Sequence, residues 1–208
     1  MMWWVALLAP VLATAGEINA FGYGWRVPIA EDWKVATVDG LQTLELLVPR
    51  PSLQPRRPTQ FALAQTPDFV KVTIDAEVKK EPEALRGRRT SLILVYAWRD
   101  EAHFNYAHLS VDTGEQAPVH NGIFHVYGGE RVRISATGGP AALTSEDWHK
   151  VRLVHDGAPG RVAVWVNGQA LPALQAVDLS LRAGKVGLGS FFDLGSFRNV
   201  KIDGVPSR

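Results

Sequence analysis

The chain has 208 residues, 46% of them hydrophobic and 21% charged. That is enough apolar material for one domain with a full core, and it excludes general disorder. With 22 basic and 21 acidic residues the net charge is +1, so no long-range field favours nucleic acid, and the absence of cysteine excludes disulfides and a lipoprotein anchor.

The first twelve residues, MMWWVALLAPVL, form a short apolar run that precedes Ala13-Thr14-Ala15. This pattern predicts a secretory signal over residues 1–15 with cleavage after Ala15, although no Lys or Arg precedes the run. The run is too short to cross a bilayer as a helix, so a secreted chain, extracellular or periplasmic, is expected without membrane insertion. Residues 16–24 read as an N-terminal extension, and residues 25–203 as one domain, expected to be monomeric.

Residues 33–40 and 42–48 predict a hairpin around Asp39-Gly40. Residues 49–60 carry Pro49, Pro51, Pro55 and Pro58 and read as an extended surface loop. Residues 69–78 alternate cleanly, with Val70, Val72, Ile74, Ala76 and Val78 on one face and Lys71, Thr73, Asp75 and Glu77 on the other. A charged loop follows, in which Arg86-Gly87-Arg88-Arg89, like Arg56-Arg57, reads as solvated charge. Residues 90–98 are apolar on both faces, which predicts a central strand with Leu92, Leu94, Tyr96 and Trp98 in one phase. No amphipathic helix is predicted anywhere.

The last quarter is the most regular part. It contains WHKVRLVHDG (148–157), GRVAVWVNG (160–168), GKVGLGS (184–190) and FRNVKI (197–202). Val162, Val164 and Val166 alternate with Ala163, Trp165 and Asn167, and Asn167-Gly168 is a type I′ hairpin signal. These runs predict an antiparallel meander at the end of a two-sheet sandwich.

The same four runs resemble the closing strands of the concanavalin A-like lectin/glucanase superfamily. They are most similar to its secreted bacterial branch, with laminin-G-like domains and the 3-keto-disaccharide hydrolase-type domain. The resemblance spans about residues 25–203 and implies an all-β, two-sheet antiparallel jelly roll. That fold serves lectins, glycosidases, lyases and adhesion modules alike, so it does not by itself imply a function.

The densest group of chemically able side chains lies in residues 98–127, which hold four of the six histidines. With Ala107, Leu109 and Val111 facing the core, Phe104, Tyr106, His108 and Ser110 share the opposite face. Tyr96 and Trp98 are expected to continue that face, and Trp165 to join it. Rings stack on the C–H faces of sugars while His, Asn and Arg bond the hydroxyls. The segments Asn105-Tyr106-Ala107-His108-Leu109 and His120-Asn121-Gly122-Ile123-Phe124 also resemble a pattern in secreted members of the superfamily. That resemblance implies a polar centre of Tyr106, His108, His120 and Asn121. The expected saccharide ligands are therefore Tyr96, Trp98, Arg99, Tyr106, His108, His120, Asn121 and Trp165, against the alternative of strand histidines and a turn asparagine satisfied within the fold.

Catalytic motifs are sparse. The alternating E-x-D-x-x-E strand of the retaining glucanases is absent, and Asp75 with Glu77 is the nearest approach to a carboxylate pair. His108 and His120 are the candidate bases, with Tyr106 or Arg99 assisting. They are also the candidate transition-metal ligands, with Asp112 or Asp193, although their spacing fits no zinc signature. No cofactor is required; calcium is the ion left open, with Asp100, Asp112, Asp193 and Asn199 as oxygen donors. Three functions compete: a secreted module binding an oligosaccharide or polysaccharide, a carbohydrate-active hydrolase or lyase using His108 and His120, and a structural module of the cell envelope.

Overall fold

The computed structural model describes residues 15–51, 54–81 and 91–207. The expected signal segment lies outside these residues except for Ala15. Fifteen strands follow in chain order: β1 (Gly16–Ala20), β2 (Tyr23–Val27), β3 (Trp33–Val38), β4 (Leu41–Leu46), β5 (Gln60–Ala64), β6 (Phe69–Lys80), β7 (Ser91–Asp100), β8 (His103–Ser110), β9 (Gly122–Tyr127), β10 (Arg131–Arg133), β11 (His149–Asp156), β12 (Arg161–Val166), β13 (Gln169–Val177), β14 (Lys185–Ser190) and β15 (Gly195–Pro206). The helical content among the described residues is a single 3-10 turn at Ala30–Asp32.

The strands form two antiparallel sheets, the jelly-roll sandwich that the resemblance implies. Sheet A runs β1-β2-β5-β14-β7-β8-β9-β10, and sheet B runs β13-β12-β11-β6-β15-β4-β3. Period-two alternation turns one face of each strand into a shared core. Trp25, Leu92, Leu94 and Leu109 from sheet A meet Leu44, Ile74, Val78 and Leu153 from sheet B, all nearly or fully buried. The hairpin turns carry the chemistry they require: Asp39 and Gly40 have φ of 52° and 78°, and Asn167 and Gly168 have 50° and 82°.

Two sequence expectations need correcting. Residues 16–24 are part of the sandwich, because β1 pairs along its length with β2 at the edge of sheet A. The closing segment is also more than one meander. Strands β11, β12 and β13 do form one in sheet B, but β14 crosses into sheet A between β5 and β7, and β15 returns to sheet B between β6 and β4. Such exchanges between sheets are long-range, and alternation within each strand carries no information about them.

Candidate functional site

Sheet A has a second apolar layer on the side away from sheet B. Strand β8 builds it by simple alternation: Asn105, Ala107 and Leu109 face the core, while Phe104, Tyr106 and His108 face outward. Register places Tyr106 between Val95 of β7 and Phe124 of β9, and His108 between Ile93 and Gly122. The Phe124 ring stacks on Tyr106 at 5.3 Å and the Phe191 ring at 6.5 Å, near-parallel in both cases. His108 lies 5.4 Å from Phe191. These neighbours leave both Tyr106 and His108 with 0% of their surface exposed. The outward phase of β8 is as expected, but here the layer is lidded rather than an open floor.

A polar centre sits at this lidded end. Arg131 of β10 donates through Nη1 to the Tyr106 hydroxyl (3.2 Å) and to His108 Nδ1 (3.1 Å). His108 Nδ1 must therefore accept, which puts the imidazole proton on Nε2. That Nε2–H is buried and has no partner among the described residues. Burial, reinforced by repulsion from Arg131, holds the His108 pKa well below its ordinary value, so the ring stays neutral. Burial likewise raises the Tyr106 pKa above its ordinary value, so the phenol stays protonated.

His120 comes alongside from the preceding loop, its ring 5.1 Å from that of His108. Its Nδ1 lies 2.5 Å from Asp112 Oδ2, and Ser110 Oγ lies 3.2 Å from both atoms. The carboxylate orients the ring and directs Nε2 away from itself. His120 is partly exposed, whereas His108 is enclosed. Asn121 has a different task. It sits at φ 44°, accepts from the backbone N–H of Ser110 (2.7 Å) and Ala142 (3.3 Å), and donates to the Asp112 carbonyl. It ties the stretch 110–112 to Ala142 and spends these bonds inside the fold.

The remaining expected site residues separate. Tyr96 faces the core, 4.8 Å from the His155 ring. Beyond it the register with β14 shifts, Ala97 takes φ 50°, and the bulge turns Trp98 to the outer layer. Tyr96 and Trp98 are therefore on opposite faces, contrary to the single phase that their spacing predicts. Arg99 is exposed near the β7–β8 turn and donates to the Ala183 carbonyl at 3.4 Å. His108 lies roughly 16 Å from that turn, at the other end of β8. Trp165 is on the outer face of sheet B, with the whole sandwich between it and Tyr106. There it lines an open groove of about 590 Å³ together with Asp75, Glu77, Lys150, Arg152 and Asn199.

The carboxylates in that groove are committed to arginines. Asp75 accepts both Nε and Nη2 of Arg152 (2.6 and 2.9 Å), and Glu77 accepts Nε of Arg198 (2.7 Å). Burial works against ionising Glu77, but the bonds from Arg198 and Asn199 outweigh it and hold its pKa below the ordinary range. A general acid needs the opposite shift. The expected calcium donors are dispersed. Asp100 binds His103 and the Ala102 N–H, Asp112 binds His120, Asp193 binds the N–H and hydroxyl of Ser91, and Asn199 lies on sheet B. Among the described residues no three His, Asp or Glu side chains are grouped to hold a metal ion.

Three contributors were not foreseen. Arg131 belongs to a three-residue strand, Arg-Val-Arg, too short to show a period. Phe191 follows a glycine-rich strand and sets its ring beside Tyr106 and His108 of β8. Arg26, whose guanidinium lies 5.0 Å over the Trp98 ring, comes from the segment β1–β2. With Leu63, Gln65, Trp98 and Lys185 it lines a groove of about 330 Å³ at the open end of the outer layer.

No family model matches the chain, and no curated protein matches it. Solved structures do. The carbohydrate binding module CBM66 from Bacillus subtilis superposes with a TM-score of 0.56 at 14% identity, over 83% of this chain and 96% of that one. A protein from Parabacteroides distasonis, provisionally named a glycosyl hydrolase, gives 0.52 at 14% identity over 84% and 94% of the two chains. At this identity the likeness shows the fold, a concanavalin A-like jelly roll, and nothing finer.

Proposed function

We propose that this chain is a secreted saccharide-binding domain that reads its ligand on the outer face of sheet A. The observation that carries this reading is the aromatic layer on that face. Trp98, Phe104, Tyr106, Phe124 and Phe191 cluster on the side of the sheet that closing the sandwich does not require. At one end of the layer Trp98 lines a groove beside Arg26, Gln65 and Lys185; at the other, Arg131 and His120 reach solvent. The part of the Trp98 ring that lines this groove, beside hydrogen-bonding side chains, suits the two-sided chemistry of a pyranose. Tyr106 and His108 then support the surface from below. The chain acts as a monomer after cleavage behind Ala15, which N-terminal sequencing of exported protein checks.

A glycan array probed with wild type and Trp98→Ala tests the reading. Wild type is expected to bind a saccharide, and the variant to bind about 5- to 100-fold more weakly with an unchanged circular dichroism spectrum. Wild-type binding by the variant would move the site elsewhere. Absence of any glycan ligand would favour the structural-module alternative.

One observation favours a second reading, a hydrolase or lyase. The Asp112–His120 pair has the form of a general base held in one tautomer by a carboxylate. Release of reducing sugar or unsaturated product that disappears in His120→Ala would establish it. Binding without turnover leaves the module reading.

A further inference from the structure

Strand β10 places two arginines on the outer face of sheet A, and their side chains are used differently. Arg133 donates to the carbonyls of Pro118, His120, Asn121, Ser135 and Ala136. Its hydrogen-bonding capacity is consumed in holding two loops. Among the described residues the Arg131 side chain makes hydrogen bonds only through Nη1, to Tyr106 and His108. A guanidinium has five N–H donors, so Nε and Nη2 of Arg131 have no protein acceptor among the described residues. The group is nevertheless held firmly. Its centre lies 4.0 Å from the Phe191 ring and 4.6 Å from the Phe124 ring, and the residue keeps part of its surface exposed.

Arg56 adds a second positive charge at the same place. Its carbonyl accepts the backbone N–H of Arg131 at 3.0 Å, and its guanidinium lies 5.7 Å from Phe191. Neither arginine has a carboxylate partner among the described residues. The polar atoms around them add to the imbalance: His108 supplies a further donor, its Nε2–H, without a partner among the described residues. Among the described residues the carboxylate at the centre is Asp112, which is bonded to His120 and Ser110. Cations held between rings with donors unfilled form a receptor for an acceptor-rich anion.

We infer that the saccharide recognised on this face is acidic, and that its carboxylate or sulfate group binds the outward edge of Arg131 with Arg56 completing the contact. The inference rests on the saccharide-binding reading and specifies its ligand class. His108 and Tyr106 are positioning residues in it: they accept from Nη1 and so aim the remaining donors. A planar carboxylate matches Nε and Nη2 as a two-pronged acceptor, whereas a sulfate ester offers the same acceptors in a tetrahedral array.

The test is titration calorimetry of the full secreted chain with three probes: an oligouronate, its carboxyl-reduced neutral counterpart, and a sulfated oligosaccharide. Binding to the oligouronate or the sulfated probe that exceeds binding to the neutral one by at least about 10-fold, and weakens with added salt, is expected. Which charged probe binds identifies the source of the acid. Arg131→Gln and Arg56→Gln should each reduce that affinity about 10- to 100-fold, while Arg161→Gln, on sheet B, should not. Arg131→Lys should recover little, because it keeps the charge and loses the fork. If Arg131→Gln fails to fold, the exposed Arg56→Gln decides alone. Equal affinity for the charged and neutral oligosaccharides overturns the acidic assignment while leaving saccharide binding intact. Failure to bind any of the three, or any glycan on the array, overturns both.

Discussion

His155 makes the stability of this protein depend on mild acid. The side chain lies in β11, paired across to Val72 and Val162, and packs between the sheets against the Tyr96 ring. It is 1% exposed. Burial lowers its pKa from 6.5 to about 4, against the weaker opposing pull of Asp156 and Asp178. The folded chain therefore keeps this imidazole neutral while the unfolded chain protonates it below about 6.5. The stabilising contribution is complete above 6.5, declines as the pH falls, and is gone below about 4. The full difference corresponds to about 3 kcal/mol, of which about 2 kcal/mol is lost between pH 7 and pH 5. For a chain of this size that is about 4–8 °C in Tm. Urea unfolding at pH 7 and pH 5 measures the loss in wild type and in His155→Leu, which has no titrating ring. The variant should lose about 2 kcal/mol less than wild type between the two pH values. A residual slope should remain, because burial also lowers the pKa of His108 and of His149. An unchanged slope in His155→Leu, or an NMR titration of His155 near 6.5, would refute the reasoning.

Four further outcomes follow from the packing. Tyr106→Ala removes a fully buried ring from between Phe124 and Phe191 and should cost about 3–5 kcal/mol in urea unfolding, so any loss of binding it causes is read only after folding is checked. Gly157→Ala would drive a Cβ into the Arg182 and Val70 carbonyls, and a drop of about 1–3 kcal/mol is expected by thermal melting. Asn167→Ala loses an acceptor for the Lys150 N–H at 2.9 Å and strains a φ of 50°; it should destabilise by about 1 kcal/mol, with Asn167→Gly milder. Arg133→Ala should open the loops at residues 118–121 and 135–136, seen as faster amide exchange there than in Arg131→Ala.

Much of the fold was legible because a half-buried antiparallel strand states its own orientation. Val162, Val164 and Val166 face the core as their spacing requires, and Asp39-Gly40 and Asn167-Gly168 turn where their tolerance of positive φ allows. Partner order was not legible. Nothing local in residues 184–190 says that β14 leaves its neighbours for the other sheet, and residues 16–24 contain too few apolar positions to reveal an edge hairpin. The site was half legible for the same reason. The phase of Phe104, Tyr106 and His108 within one strand was correct. Tyr96 was grouped with Trp98 because the bulge at Ala97, which turns Trp98 outward while Tyr96 keeps the core phase of Leu92 and Leu94, leaves no mark in the spacing, and Trp165 was misplaced because phase does not say which sheet a strand joins. Asn121 stood in a promising motif, but its positive φ and its backbone bonds make it a loop clamp.

The two arginines of β10 are used differently, Arg133 to hold loops and Arg131 in the contact we infer with a ligand. They are two residues apart on one strand and project from the same face, so sequence pattern treats them alike. Arg133 gives its donors to backbone carbonyls that would otherwise face a partly dry loop, and burial, with repulsion from Arg131, lowers its pKa. Arg131 lies between two rings, with His108 and Tyr106 fixing one of its nitrogens and the others without an acceptor among the described residues. Burying His108 with an unpartnered Nε2–H costs about 1–3 kcal/mol, which an apolar side chain at that position would avoid. Stability alone gives no reason for that arrangement. Orientation of the Arg131 edge does, since a guanidinium held in one plane loses little freedom when an acidic group docks on it.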